Sequence, residues 1–110
     1  MKVAVLAGGL GGSRFARALA EAIDPTGLTI VGNVGDDVEV HGLHVSPDLD
    51  TILYTLTGRL DDGRGWGRQD ETWAALESAA ELGAETWFRL GDRDLGLHLV
   101  RTERLRRGEP

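Results

Sequence analysis

The stretch that most constrains this chain is its first thirteen residues, Met1-Lys2-Val3-Ala4-Val5-Leu6-Ala7-Gly8-Gly9-Leu10-Gly11-Gly12-Ser13. Val3 to Ala7 form an unbroken apolar run and read as a strand buried on both faces, as in a parallel sheet. Four glycines follow almost at once. Beyond them Phe15, Leu19 and Ile23 recur at four-residue spacing, the apolar stripe of an amphipathic helix. Strand, glycine loop and helix in that order gather bare backbone N–H groups and a helix N-terminus at one point. Phosphate is favoured there, because glycine puts no Cβ in the way and the helix end carries partial positive charge. Ser13 adds a hydroxyl. Neither standard phosphate fingerprint is complete: Gly9 and Gly11 fit Gly-x-Gly-x-x-Gly but Arg14 stands third, and no Gly-Lys-Ser/Thr ending follows. A tight strand-to-helix turn without a ligand is the plain alternative.

Composition narrows the partners. At 110 residues and 41% hydrophobic, the chain can build one small core. A net charge of −6, with basic residues gathered only near the end, argues against nucleic acid. Without cysteine there is neither a disulfide framework nor thiol chemistry. The first apolar run is too short for a membrane span or signal peptide, so a cytoplasmic chain with no membrane partner is expected.

The remaining chain alternates between strand and helix signals. Asp24-Pro25-Thr26-Gly27 is a turn, and Leu28-Thr29-Ile30-Val31 a second strand, which completes a βαβ unit. Dinucleotide-binding domains place an acid at the end of this strand to hold the ribose. Here Gly32-Asn33 stands instead, which weakens a reading as an NAD-dependent oxidoreductase. Residues 38–45 suggest a short hairpin turning at His41-Gly42. Ser46-Pro47-Asp48-Leu49-Asp50 is a helix start, with Ser46 as N-cap, Pro47 first and acids in the first turn. Leu49, Ile52, Leu53 and Leu56 continue it at helical spacing, to a stop near Gly58. Glycines surround Trp66 in a loop from Asp61 to Arg68. Asp70 is expected to cap a helix running to Leu82 that buries Trp73, Leu76 and Ala80. After Leu90-Gly91, Asp92 is positioned to cap a last helix, although Leu95, Leu97 and Leu99 alternate as in a strand.

Three side-chain sets have chemical potential. Asp36, Asp37, Asp48 and Asp50 fall at strand ends and a helix start, which a parallel sheet gathers at one edge near the glycine loop. Carboxylates and phosphates repel unless a hard cation lies between them, a place that suits Mg²⁺. The ordinary alternative is that these acids serve only turns and a helix dipole. His41, His44 and His98 lack metal-site spacing. Arg93, Arg101, Arg104, Arg106 and Arg107 read either as a phosphate clamp or, more simply, as a solvated helix face.

Six ordered blocks go further: Gly8-Gly9-Leu10-Gly11-Gly12-Ser13-Arg14-Phe15; Val31-Gly32-Asn33-Val34-Gly35-Asp36-Asp37; Pro47-Asp48-Leu49-Asp50-Thr51; Gly65-Trp66-Gly67-Arg68-Gln69-Asp70-Glu71-Thr72-Trp73; Leu90-Gly91-Asp92-Arg93-Asp94; and His98 with Arg101-Thr102. Together they resemble the 2-phospho-L-lactate transferase family of coenzyme F-420 biosynthesis. The resemblance implies an α/β fold, a Rossmann-like parallel sheet with flanking helices, of which residues 1–110 would be the N-terminal portion of a single domain. It implies Mg²⁺-dependent transfer of a phosphoenolpyruvyl or 2-phospholactyl group from a guanosine diphosphate adduct to the deazaflavin 7,8-didemethyl-8-hydroxy-5-deazariboflavin, with GMP released. Carried over by position, Gly9, Gly11, Gly12 and Ser13 would hold phosphates and Asn33 the nucleotide edge. Asp50 and Asp48 would be catalytic and metal-holding, with Asp50 the direct ligand. Trp66 and Arg68 would meet the flat acceptor, while His98 and Arg101 match the pattern without an assigned role. Family members continue well past Pro110, so a chain this short is expected to expose an apolar face and to be incomplete as an enzyme. A homodimer is left open. The competing reading is a non-catalytic nucleotide or sugar-nucleotide binding protein of the same architecture, which the blocks from Trp66 to Trp73 and Leu90 to Asp94 argue against.

Overall fold

In a computed structural model covering residues 1–110, the elements run β1 (Val3–Ala7), α1 (Gly9–Ala22), a 3₁₀ turn (Pro25–Gly27), β2 (Leu28–Gly32), β3 (Val38–Val40), β4 (Leu43–Val45), α2 (Pro47–Leu56), α3 (Ala74–Glu81) and α4 (Asp92–Arg106). They divide into two compact units, one formed by residues 1–37 and 46–69, the other by residues 38–45 and 70–110. No helix is long and apolar enough to cross a membrane.

The first unit is a Rossmann-like α/β layer. β1 and β2 pair in parallel, Val3 opposite Leu28 and Ala7 opposite Gly32. Because side chains alternate along a strand, Val3, Val5 and Ala7 share a face with Leu28, Ile30 and Gly32. On that face Val5, Ala7 and Ile52 of α2 form the core, with Val3, Leu19, Leu28 and Ile30 packed around them. The expectation that β1 is buried on both faces fails: Leu6 is 84% exposed, and its neighbour across the pair, Val31, is 50% exposed.

The helices approach the sheet through small residues. A Cβ at Gly12 would stand 3.3 Å from the Cα and Cβ of Ala7, so glycine lets α1 close on β1. The buried residues of α1 are Ser13 and Ala16, whereas Phe15 is 60% exposed. Of the predicted Phe15–Leu19–Ile23 stripe, Leu19 packs against the core and Ile23 is half-buried, while Phe15 is turned away from the close contact, which admits only small side chains. At β2, a Cβ on Gly32 would meet Leu49 Cδ2 at 2.3 Å, so the strand end is glycine where α2 crosses it. α2 begins after Ser46 and stops before Gly58, as expected, but Asp50, Ile52, Tyr54 and Thr55 are its buried residues. Leu53 and Leu56 face outward.

In the second unit, β3 and β4 form the expected antiparallel hairpin. His41 and Gly42 both take positive φ in its two-residue turn, which follows the twist of the strands. Thr102 of α4 accepts the backbone N–H of His44 at 2.8 Å through its hydroxyl, and Arg101 and Arg106 donate to the carbonyls of His44 and Gly42. Two of the C-terminal arginines thus tie α4 to the hairpin.

The start predicted for α3 is corrected. Asp70 has φ 56° and lies outside the helix, which begins at Ala74. The N–H groups of Ala74 and Ala75 are accepted instead by Asp92, at 3.0 and 2.9 Å. Asp92 belongs to the first turn of α4, whose N–H groups at Arg93 and Asp94 are accepted by Glu71 at 2.7 and 3.0 Å. Each carboxylate serves the other segment's helix start, where dipole and unpaired N–H groups favour negative charge.

Candidate functional site

The first unit gathers its polar groups at the carboxyl ends of β1 and β2, the edge at which open parallel sheets bind ligands. β1 ends at Ala7, Gly8 is extended, and Gly9 takes φ 65° as α1 begins. The turn is so tight that Asn33, one residue past β2, donates its backbone N–H to the Ala7 carbonyl at 2.9 Å. From the first turn of α2, Asp48 accepts the Gly9 N–H at 3.1 Å through Oδ1 and the Asn33 side-chain amide at 2.8 Å through Oδ2. The side-chain Oδ1 of Asn33 in turn accepts the Gly35 N–H at 3.0 Å. One carboxylate therefore fastens together the glycine turn, the end of β2 and the start of α2.

The other nominated residues divide by location. Gly11 is exposed at the start of α1, with nothing within 4 Å of where a Cβ would stand. Gly12 lies in the close contact with Ala7. Ser13 is fully buried; its hydroxyl donates to the Leu10 carbonyl at 2.7 Å and accepts from Thr55 at 3.1 Å, bridging α1 and α2. Asp50 is 7% exposed, two residues from Asp48 on a helix that turns about 100° per residue, so the two acids point to different sides.

The loop around Trp66 is built on Asp61. This carboxylate accepts the Arg64 N–H at 3.1 Å and pairs with the Arg64 guanidinium at 3.1 Å, while the Asp61 carbonyl accepts the Gly65 N–H. The guanidinium also donates to the Arg68 carbonyl and lies 4.6 Å from the centre of the Trp66 ring. Trp66 is nonetheless 46% exposed. The loop returns along itself, Leu60 bridging to Arg68, and Gly65 packs toward Leu10 of the glycine turn, with its would-be Cβ 3.8 Å from the leucine methyl. Sequence reasoning missed Arg64 and Asp61, although the Asp-x-x-Arg spacing within a glycine-rich loop was their signal.

In the second unit, His98 is 1% exposed, its Nδ1 2.7 Å from the Asp94 carbonyl and its ring edge-on to Phe88. Arg101 holds the hairpin, as described above.

A parallel βαβ pair with a glycine turn and polar groups gathered at its strand ends defines an α/β protein. The chain belongs to the 2-phospho-L-lactate transferase CofD family, whose sequence model matches residues 3–109. It is 50% identical over 111 residues to a phosphoenolpyruvate transferase of Streptomyces griseus, a match covering 100% of this chain and 35% of that protein. It is 52% identical over 110 residues to the phosphoenolpyruvate transferase of Nocardia farcinica, covering 99% of the chain and 33% of the relative. Against that of Mycobacterium marinum the values are 50% over 122 residues, 100% and 37%. The chain spans about a third of the length of these relatives.

Proposed function

We propose that this chain supplies the donor-phosphate edge of a transferase in coenzyme F-420 assembly. The reaction passes a phosphoenolpyruvyl or 2-phospholactyl group from a guanosine diphosphate adduct to the terminal ribityl hydroxyl of 7,8-didemethyl-8-hydroxy-5-deazariboflavin. A bond forms between the acceptor oxygen and the donor phosphorus, the bond from that phosphorus to the GMP oxygen breaks, and the hydroxyl proton is released. The names of the relatives favour the phosphoenolpyruvyl donor. The observation that carries the reading is the convergence of Gly9, Asn33 and Asp48 at one strand-end edge.

In this reading the first turn of α1 beyond Gly9, whose own N–H is already met by Asp48, turns its backbone N–H groups and helix dipole to the non-bridging oxygens. Gly12 and Ser13 contribute by fixing how α1 sits on β1 and α2, and Asn33 presents the nucleotide side of the edge. Trp66, braced by Arg64, offers an indole for stacking the flat acceptor, with Arg68 beside it. Asp48 brings negative charge to the place where phosphates would gather, and each of its oxygens keeps a lone pair beyond the hydrogen bond it accepts. Such hard oxygen donors fit Mg²⁺, which Asp48 would hold at this edge, while Asp50, on another side of α2, would act on it only through groups lying between them. Bound there, Mg²⁺ would offset the charge between carboxylate and diphosphate. Phosphoryl-group transfer asks little covalent help of the protein, so positioning and charge are the roles these residues fill.

Titration calorimetry of a full-length protein carrying this segment tests the reading. Tighter binding of GDP with Mg²⁺ than of NAD⁺ is expected, and the reverse order would overturn it.

A further inference from the structure

Ser46 stands where the N-cap of α2 belongs, yet its hydroxyl makes no bond to the helix. An N-cap serine ordinarily accepts a first-turn N–H through that oxygen. Here the hydroxyl donates instead to Asp37 Oδ2 at 2.8 Å, and Ser46 is 1% exposed. Asp37 lies in the turn after β2, closed by its own N–H to the Val34 carbonyl at 3.2 Å. Asn33, at the start of the same turn, donates to Asp48, just beyond Ser46. Residues 33–37 and 46–48 are therefore joined by two rungs, each of 2.8 Å. The rungs differ in their surroundings. Asn33–Asp48 is exposed, where water competes for donor and acceptor. Asp37–Ser46 is part-buried, with a carboxylate as acceptor, which makes it the stronger of the two. A serine withdrawn from its local role departs from the local rule, and such departures gather at functional sites.

We propose that Asp37 and Ser46 are positioning residues of the transferase, a clasp that holds the first turn of α2 against the end of β2. The clasp keeps Asp48 on the Gly9 N–H. The inference rests on the reading that this edge receives the donor phosphates. Without the clasp the exposed rung alone would hold the Asp48 carboxylate, and water would replace it at Gly9. Asp37, one of the four acids near the glycine loop, thus serves the edge through a buried hydroxyl.

Hydrogen exchange at the Gly9 amide reads the clasp without any substrate, since that N–H is the one Asp48 accepts. In a full-length transferase carrying this segment, Ser46→Ala and Asp37→Ala should each speed exchange at Gly9 by about tenfold or more. Asp37→Asn, which keeps an oxygen for the hydroxyl, should lie between them and wild type. In turnover the two alanine variants should raise the donor KM by about tenfold and leave the acceptor KM within about twofold. In an Asp48→Asn background neither should add to the donor KM, because both act through that carboxylate. Should an alanine variant fail to fold, Asp37→Asn carries the test in its place. Wild-type exchange at Gly9 in these variants would overturn the inference alone. Faster exchange together with an unchanged donor KM in Asp48→Asn would overturn the reading of the edge, and the proposal with it. Equal rises in donor and acceptor KM would reduce the clasp to a general support of the fold and overturn its positioning role.

Discussion

Asp48 and Gly9 are 39 positions apart in sequence, yet the carboxylate of one accepts the backbone N–H of the other at 3.1 Å. The first donor of the glycine turn is thus met by the protein's own anion. Asp48→Asn leaves one good acceptor where two donors, Gly9 and Asn33, now find a charged carboxylate. A loss of about 1 kcal/mol is expected, which lowers the melting temperature by about 4–8 °C in a domain of this size. Asn33→Ala should cost less on top of Asp48→Asn than alone, because both act through one hydrogen bond. Thermal unfolding of the two single variants and the double checks both statements.

Asp50→Asn separates a role in transfer from a role in the helix. In a full-length transferase carrying this segment, kcat/KM is expected to fall about 10²-fold or more, the scale of losing one preorganised charge contact. Asn is nearly the same size, so a buried side chain at this position should still pack. Normal transfer with a lowered melting temperature would make Asp50 a structural residue of α2.

Glu71 occupies the notch that Gly91 leaves open: a Cβ at Gly91 would come within 2.1 Å of its side-chain carbons. Gly91→Ala must therefore displace Glu71 from the start of α4, and a cost of about 1–3 kcal/mol is expected, the range for overpacking a filled site. In a Glu71→Ala background the same glycine substitution should cost much less. Additive losses in a denaturant cycle would show that the clash is relieved elsewhere.

Asp92 gives the second unit an acid-sensitive joint. Its hydrogen bonds from Thr72 and from the Ala75 and Ala74 backbone, with help from Arg93, hold its carboxyl below the usual value of 3.8, against a smaller opposing effect of burial. A carboxyl depressed in the folded state contributes stability above its ordinary value and loses it as pH falls from there through the folded value. Denaturant midpoints should therefore decline below about pH 4, and more shallowly in Asp92→Asn. Asp24, lowered by its bonds from Thr26, has the same sign and leaves a residual slope. An unchanged slope in Asp92→Asn would remove Asp92 from the acid response.

Local signals in this sequence were strong where chemistry is local. The turn at His41-Gly42, the Pro47 start of α2 and the strand–glycine–helix beginning depend on neighbouring residues, and the structure has each of them. What sequence periodicity could not supply was the partner of each face. Phe15 has the right spacing for a core stripe, but α1 meets its neighbours so closely that Ser13 and Ala16 take the inside. Asp70 has the look of a cap, yet the helix it precedes is capped by Asp92 from 17 and 18 positions away, which no local rule detects. At the site, Asp48 and Asn33 were nominated separately; that they bond each other follows from how α2 crosses Gly32.

The hairpin of β3 and β4 sets the order in which this chain can assemble. Six strand residues and a two-residue turn are too little to hold together in water. Their support is α4, and the bond from His44 to Thr102 spans 58 positions. On a ribosome the hairpin emerges well before α4, its helical support. The first unit has all its parts once Gln69 has emerged, whereas residues 38–45 must wait for α4 before their hairpin is braced. Closing that long loop carries an entropy cost, which makes the docking of α4 on the hairpin a slow event in the assembly of this unit and its arginines residues whose loss would be felt in yield.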